Sequence, residues 1–528
     1  MVSAGNMLAT MAGVRMLAEG GNAFDAAVAV GTTLGVVEPY HSGPGGVGTA
    51  IVRLAGESVS RALDFSGRTP AAADPERQSA DTRDLGVLAP LVPGNVAGWL
   101  ELHRKHGSLE LERVFTPAID YAENGYPTTY QNSSVIDEFA DRLRPYPSSV
   151  EALLEEASLR ASAPGTRRRW PLMAASLRMI AKQGRDVFYT GELAERIVAD
   201  VQGQGGILTL DDFAQYEVEW QEALSVDYRG YQVFAPPLPS CGFQTLQHLK
   251  LMEAFGPEEL VFQSADTVHA TIEAAKLSIV DRIALAGDPD QCPPLPLDRL
   301  LSKEYAAQQK ERIDMSAAAA VPGESYVSDP PADALRAGFQ ADGVNTTHFE
   351  VADRDGNAIG ITQTLGGYFG CAVALGNTGF FLNNMTLFSD SDPMAPNRYG
   401  PQRRVATALG PTQTFKDGRF MLSLGMPGGW AILQRTVQIM LHLVDFGMDV
   451  QQAIEAPQFR QYTGRDIHLE DRLPLQVRRE LEARGHELTN LEAWSLRVSG
   501  AHGILVDEES GSYQSGCCTR REGYAIGL

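Results

Sequence analysis

Alternation of apolar and polar positions, not helical periodicity, governs the stretch from Thr346 to Leu365. From Thr346 to Asp353 the residues suit a strand, and Asp355-Gly356-Asn357 is a strong turn signal. From Ala358 to Leu365 the chain alternates again, with Ile359 and Ile361 opposed to Thr362 and Thr364. The pattern predicts a β-hairpin. Centred near Asp355, it makes Thr346 and Thr364 cross-strand neighbours, about 5 Å apart at Cβ. A second hairpin is predicted from Thr412 to Phe415 and Phe420 to Leu424, turning at Lys416-Asp417-Gly418-Arg419. After it, Pro427-Gly428-Gly429 precedes a helical pattern from Trp430 to Phe446 that Gly447 ends.

Elsewhere helical spacing dominates. Met1 to Gly20 carries Met7, Leu8, Met11, Val14, Leu17 and Ala18 at helical intervals and reads as one helix. Asn22 to Val37 is apolar on nearly all sides, as a helix buried in a larger α/β core is. A turn-rich patch at Glu38 to Gly48 leads into a strand near Thr49 to Leu54. Phe115 to Leu301 reads as mostly amphipathic helix, with charged faces around Asp137 to Arg144 and Leu193 to Val201 and a Pro-rich break at Ala235 to Pro239. Met315 to Gly343, with four consecutive alanines, Val-Pro-Gly and Asp-Pro-Pro, reads as a linker. The C-terminal part alternates strand and helix and is expected to close near Val498 to Val506.

Charge narrows the function classes. Lys+Arg 44 against Asp+Glu 66 gives a net charge of −22, which argues against nucleic acid or an anionic membrane as partner. No stretch approaches the ~20 apolar residues of a membrane span. Met1 to Gly20 has no basic leader, so the chain as given is expected to be cytoplasmic, or periplasmic or secreted if its N-terminus was trimmed. The five cysteines, Cys241, Cys292, Cys371, Cys517 and Cys518, lack CxxC spacing and indicate neither a zinc site nor a disulfide scaffold. No metal or cofactor is expected.

The chemistry centres on Thr346. Its hydroxyl is a weak nucleophile without a base, and no Asp or Glu stands beside it. If the Asn345–Thr346 peptide bond is cut, the freed α-amine lies within reach and, with a reference pKa of about 7.7–8.0, serves as general base near pH 7. The plainer alternative is that Thr346-Thr347 is β-branched filler in a strand. Likewise Gly428 and Gly429 form either a tight turn or, with backbone N–H groups unblocked at a strand-to-helix junction, an oxyanion hole. Gly43-Pro44-Gly45-Gly46-Val47-Gly48 lacks the register of a dinucleotide loop and suits close backbone packing. His348, on the face of Thr346, is expected to make a structural hydrogen bond.

Longer motifs decide between these readings. The run from Asn345-Thr346-Thr347-His348 to Leu365, then Phe369-Gly370 and Gly379-Phe380-Phe381-Leu382-Asn383-Asn384, resembles the small-subunit start of γ-glutamyltransferases (glutathione hydrolases). Gly20-Gly21-Asn22-Ala23-Phe24-Asp25, Ser42-Gly43-Pro44-Gly45-Gly46, Pro93-Gly94-Asn95-Val96-Ala97-Gly98, Pro427-Gly428-Gly429 and Glu455-Ala456-Pro457 extend the likeness along nearly the whole chain. The resemblance implies the four-layer αββα sandwich of N-terminal-nucleophile hydrolases. It also implies a precursor cut at Asn345–Thr346 into 1–345 and 346–528, whose fragments stay associated. On this reading Thr346 is the nucleophile, Thr364 orients it, and Gly428 and Gly429 form the oxyanion hole. The substrate is then a small amide, with water or an amine as acceptor.

The likeness breaks where such enzymes grip the glutamyl group. In place of the residues that hold its ammonium, this chain has Gly366 and Met385-Thr386-Leu387. In place of a Ser-Ser pair for the carboxylate it has Thr407-Ala408, and Arg68 is displaced from the usual position directly after Asp64-Phe65. Arg68 and Thr407 are the candidates left to hold a carboxylate. Three readings follow: a γ-glutamyl enzyme with an altered grip, a glutaryl or cephalosporin acylase-like amidase, or an uncleaved, non-catalytic binding relative.

Overall fold

The computed structural model describes residues 1–320, 344–462, 464–498, 500–507 and 509–528. The alternating stretch does fold into a hairpin, Val344–Ala352 against Ala358–Gly367, with Asp353 Oδ1 accepting from the backbone N–H groups of Asp355 and Asn357 at the turn. This hairpin sits inside a seven-stranded antiparallel sheet. The order is Tyr524–Ile526, Val2–Ala4, Val344–Ala352, Ala358–Gly367, Val47–Arg53, Arg61–Phe65 and Glu219–Glu222. A second, six-stranded sheet runs Tyr513–Cys517, His502–Val506, Arg419–Gly425, Thr412–Lys416, Tyr231–Ala235 and Leu224–Tyr228, also antiparallel throughout.

Side-chain alternation along the strands sets the layers. Phe349, Val351, Ile359, Ile361 and Leu365 point out of the first sheet into one apolar cluster with the helices Met7–Ala18 and Ala23–Val37. Leu422, Leu424 and Val233 point out of the second into a cluster with the helices Gly242–Glu253 and Ile432–Val444. Between the sheets Ile51, Ala352 and Ala358 meet Phe234, Phe415, Phe420 and Ile504. The result is the αββα sandwich. The helix Ala23–Val37 is buried on every side, and Asn22 and Asp25 cap its start reciprocally.

Four expectations change. Val2–Ala4 is a strand paired on both edges, and the first helix starts only at Met7, capped by Asn6. Three paired residues are too few for a periodicity to register. The middle third contributes three strands to the two large sheets, Glu219–Glu222, Leu224–Tyr228 and Tyr231–Ala235, whose half-exposed edges mimic amphipathic helix. The helix predicted from Trp430 begins as a tight 3-10 turn, Gly429–Ala431, and becomes regular over Ile432–Val444. The chain does not close at Val506, because Tyr513–Cys517 and Tyr524–Ile526 each extend a sheet. Of the predicted linker, residues 321–343 lie outside the described residues. Its beginning is docked, with Ala318 N donating to Arg484 O and Lys276 Nζ to Ala319 O.

Candidate active site

The hairpin register shifts between Asn345 and Thr347, leaving Thr346 in a bulge. Bulges take a residue out of the ladder and re-aim its side chain. Thr346 and Thr364 end side by side on the inter-sheet face, with Oγ1 atoms 3.3 Å apart. The Thr364 hydroxyl in turn donates to the carbonyl oxygen of Asn345 at 2.6 Å and accepts from Gly366 N at 2.8 Å. Its one proton and both lone pairs are therefore committed, which fixes its rotamer. With the Asn345–Thr346 bond intact, Thr346 is 1 % exposed and its N–H donates to Asn345 Oδ1 at 2.9 Å.

The same face continues as a polar stripe. His348 Nδ1 contacts Thr362 Oγ1 and its Nε2 contacts Glu350 Oε1, both at 2.9 Å. Burial pushes the imidazole down to about 3 and the Glu350 carboxyl well up, both of which disfavour an ion pair and favour a neutral hydrogen bond. His348 is thus a structural hydrogen-bonding residue, as its place on the strand suggests. On the opposite face Thr347 donates to Glu38 Oε2 at 3.2 Å, and His41 Nδ1 contacts the same oxygen at 3.1 Å.

Gly425 ends the strand that passes over His348; a Cβ there would lie 2.3 Å from the His348 ring. This close approach brings the following Pro427-Gly428-Gly429 turn against the strand of Thr346. Gly428 at φ 135° and Gly429 at φ 57° adopt backbone conformations that side chains disfavour. Gly43 to Gly48 pack backbone on backbone: a Cβ on Gly45 would stand 2.1 Å from Phe381 O, and one on Gly46 2.5 Å from Thr364 O.

The residues meant to grip substrate are placed differently. Arg68 pairs with Asp290 at 2.8 Å, lies 3.9 Å from Asp288, and lines a cleft of about 330 Å³ with Thr69, Tyr216 and Gln402. Its charge is spent on protein carboxylates, because the two extra residues after Phe65 carry it onto the 288–290 loop. Thr407 is tied by its backbone to Pro239 and Cys241, and its Oγ1 only accepts from Leu409 N at 3.5 Å. Gly366, at φ 99°, has no room for a side chain, since a Cβ would lie 2.3 Å from Asn384 Oδ1. Met385 is buried among Val47, Leu91, Val405 and Leu409. The carboxylate nearest in connectivity, Asp84, accepts from Asn384 and is neutralised by Arg142 through two 2.8 Å contacts.

One residue escaped the sequence reading. Arg521 reaches from the C-terminal segment to Asn345 Oδ1 at 2.9 Å and Thr346 O at 3.4 Å. Nothing local distinguishes it from Arg520, which is consumed by Glu470. Among the described residues one group, His269, Glu273 and His486, has the donor types for a metal ion. There the two imidazoles contact each other at 2.7 Å and Lys276 donates to Glu273 at 2.6 Å, so the carboxylate already holds a cation.

The arrangement invites comparison with known proteins. A family described as Gamma-glutamyltranspeptidase matches residues 9–528. The acylase ACY 1 proenzyme of Pseudomonas sp. (strain SE83) is 34% identical, covering 100% of this chain and 93% of the relative. The glutathione hydrolase proenzyme of Escherichia coli (strain K12) is also 34% identical, covering 97% of this chain and 89% of the relative. The crystal structure of cephalosporin acylase from Bacillus halodurans superposes with a TM-score of 0.90 at 30% identity, covering 99% of this chain and 94% of that one.

Proposed function

This chain belongs to the gamma-glutamyltranspeptidase family, and on that premise we propose that it is a self-processing amide hydrolase and acyltransferase whose nucleophile is Thr346. The observation that carries the reading is the Thr364 hydroxyl, which accepts from Thr346 Oγ1 while donating to the Asn345 carbonyl oxygen. One group thereby aligns the attacking oxygen and polarises the carbonyl under attack.

In self-cleavage Thr346 Oγ bonds to the Asn345 carbonyl carbon, the C–N bond breaks, and the hydroxyl proton ends on the new α-amine. Water then hydrolyses the ester to free the Asn345 carboxylate. In turnover the α-amine takes the Oγ proton, Oγ attacks the substrate amide, and the proton passes to the departing amine. Water or an amine then releases the acyl group. Gly428 and Gly429 N–H groups serve the oxyanion, each such donor contributing about 2.7–4 kcal/mol. Strands from either side of residue 345 interleave in the first sheet and pair edge to edge in the second, which favours fragments 1–345 and 346–528 staying together after the cut.

The acyl group carries a carboxylate and needs no α-ammonium. Gly366 and buried Met385 stand where an ammonium would be held, which favours glutaryl-type amides at least equally with γ-glutamyl ones, in keeping with relatives named both acylase and glutathione hydrolase. The test is an intact-mass spectrum of the enzyme mixed with a chromogenic glutaryl anilide. An acyl increment on a fragment beginning at Thr346 is expected; an increment on 1–345, or an uncut chain that still turns over, overturns the reading. Among the described residues no helix is long and apolar enough to cross a membrane.

A further inference from the structure

Self-cleavage and turnover direct the same oxygen at two acyl carbons in succession. Whatever holds the Asn345 side chain during the first event therefore lies where the acyl chain of the substrate goes in the second. The amide group of Asn345 is as far from the attacked carbonyl as the carboxylate of a succinyl group, one methylene short of glutaryl or γ-glutamyl. Its Oδ1 is held by Arg521 Nη1 at 2.9 Å.

The rest of that guanidinium is occupied only weakly. Nη1 also reaches Thr346 O at 3.4 Å and Nη2 reaches Leu496 O at 3.4 Å. All these acceptors are neutral carbonyl oxygens, and among the described residues no carboxylate comes within ion-pair distance. Its charge opposes protonation of nearby His41 and His502. Arg520, one residue earlier, shows the contrast, with both nitrogens on Glu470 at 2.7 Å. A partly buried guanidinium without a counter-ion is the arrangement that a carboxylate relieves, through two charge-assisted hydrogen bonds.

We propose that Arg521 is the receptor for the carboxylate of the acyl group, and that Asn345 in the uncut chain stands in for that carboxylate. The proposal rests on the reading of Thr346 as nucleophile. When the new end at Asn345 leaves, the Arg521 donors it filled face the acyl pocket, and the fork closes on the incoming carboxylate. Arg521 thereby takes the part that the sequence suggested for Arg68. Selectivity follows from reach: glutaryl and succinyl chains engage Arg521, whereas a butyryl chain, which is glutaryl stripped of its carboxylate, leaves it unpaired.

The experiment compares glutaryl, succinyl and butyryl p-nitroanilides on self-cleaved wild type, Arg521→Ala and Arg521→Lys at one pH. The glutaryl-to-butyryl ratio of kcat/KM is expected to be about 10²–10³ in wild type, to collapse to within about threefold of unity in Arg521→Ala, and to recover partly in Arg521→Lys. A ratio that survives Arg521→Ala, both substrates losing equally, makes the residue structural and overturns the proposal. Should Arg521→Ala fail to cut itself, wild type alone still decides: free glutarate must inhibit at least about tenfold more tightly than butyrate, and equal inhibition overturns the proposal. Intact mass separates the two claims, because absence of any acyl adduct on fragment 346–528 sinks the nucleophile assignment whatever the ratio does.

Discussion

The Thr364 hydroxyl donates to the carbonyl oxygen of Asn345 at 2.6 Å, so the residue opposite Thr346 grips the bond that precedes it. Thr364→Val keeps shape and β-propensity while deleting that donor. The fold has little to lose, but the Asn345 carbonyl loses its polarising group and Thr346 its partner. Turnover is expected to fall about 10- to 100-fold, or about 1.4–2.7 kcal/mol, and self-cleavage to slow in parallel. Unchanged turnover, measured with a thermal melt as control, means the hydroxyl is idle.

Cleavage itself makes a sharper test. Purified protein is expected to run as two fragments, the smaller beginning Thr346-Thr347-His348 on N-terminal sequencing, and Thr346→Ala to run as one chain. If the alanine variant is still cut at that bond, a host protease makes the cut and Thr346 is not its own processing nucleophile.

How much of this was legible in the sequence depends on how local each relationship is. Thr346 and Thr364 are joined by a turn that names itself, and strict alternation fixes their face, so their meeting could be counted out by register. The bulge at Thr346 could not, since it interrupts the register within the hairpin and the alternation carries no mark of it. Arg521 lies beyond any pattern: it reaches Asn345 across the fold, while identical-looking Arg520 goes to Glu470. The pairing of Arg68 was hidden for the same reason, because Asp288 and Asp290 come from a loop no periodicity places beside it.

Acid is expected to destabilise the fold in a defined window. Burial lowers His248 and His442 to about 4 and His348, His486 and His502 to about 3, whereas an unfolded histidine titrates near 6.5. Below that pH the unfolded chain binds protons that the folded chain refuses. Each group then removes up to about 1.4 kcal/mol per pH unit as pH falls from 6.5 towards its folded value. Urea melts between pH 7.5 and 4.5 check this, and a midpoint that is flat or rising towards acid contradicts the neutral burial of these rings.

Glu350 bends the same curve the other way. Its folded carboxyl keeps a proton that the unfolded one releases above about 4.5, so its contribution is full below that pH and is lost as pH rises. Glu350→Gln has no proton to lose and still offers a donor to His348 Nε2. The stability of the variant relative to wild type is therefore expected to improve steadily from pH 4.5 to 8. A difference independent of pH over that range shows that the carboxyl titrates normally in the fold.

Specificity follows from what surrounds Gly366. No side chain fits at φ 99° beside Asn384, Met385 is sealed in an apolar cluster, and Asp84 is already neutralised by Arg142. An α-ammonium on the acyl group therefore gains no dedicated partner among these residues. Removing it, by exchanging a γ-glutamyl anilide for the glutaryl anilide, is expected to change kcat/KM by no more than about tenfold, or about 1.4 kcal/mol. A site built to pair the ammonium leaves a carboxylate buried and unmatched when it is absent, and discrimination then reaches about 10⁴. Both anilides are compared on self-cleaved enzyme at one pH. A preference of roughly a thousandfold for the γ-glutamyl compound would show that another acidic residue turns into the pocket once the chain is cut, and with it that this enzyme grips its substrate as a γ-glutamyl specialist does.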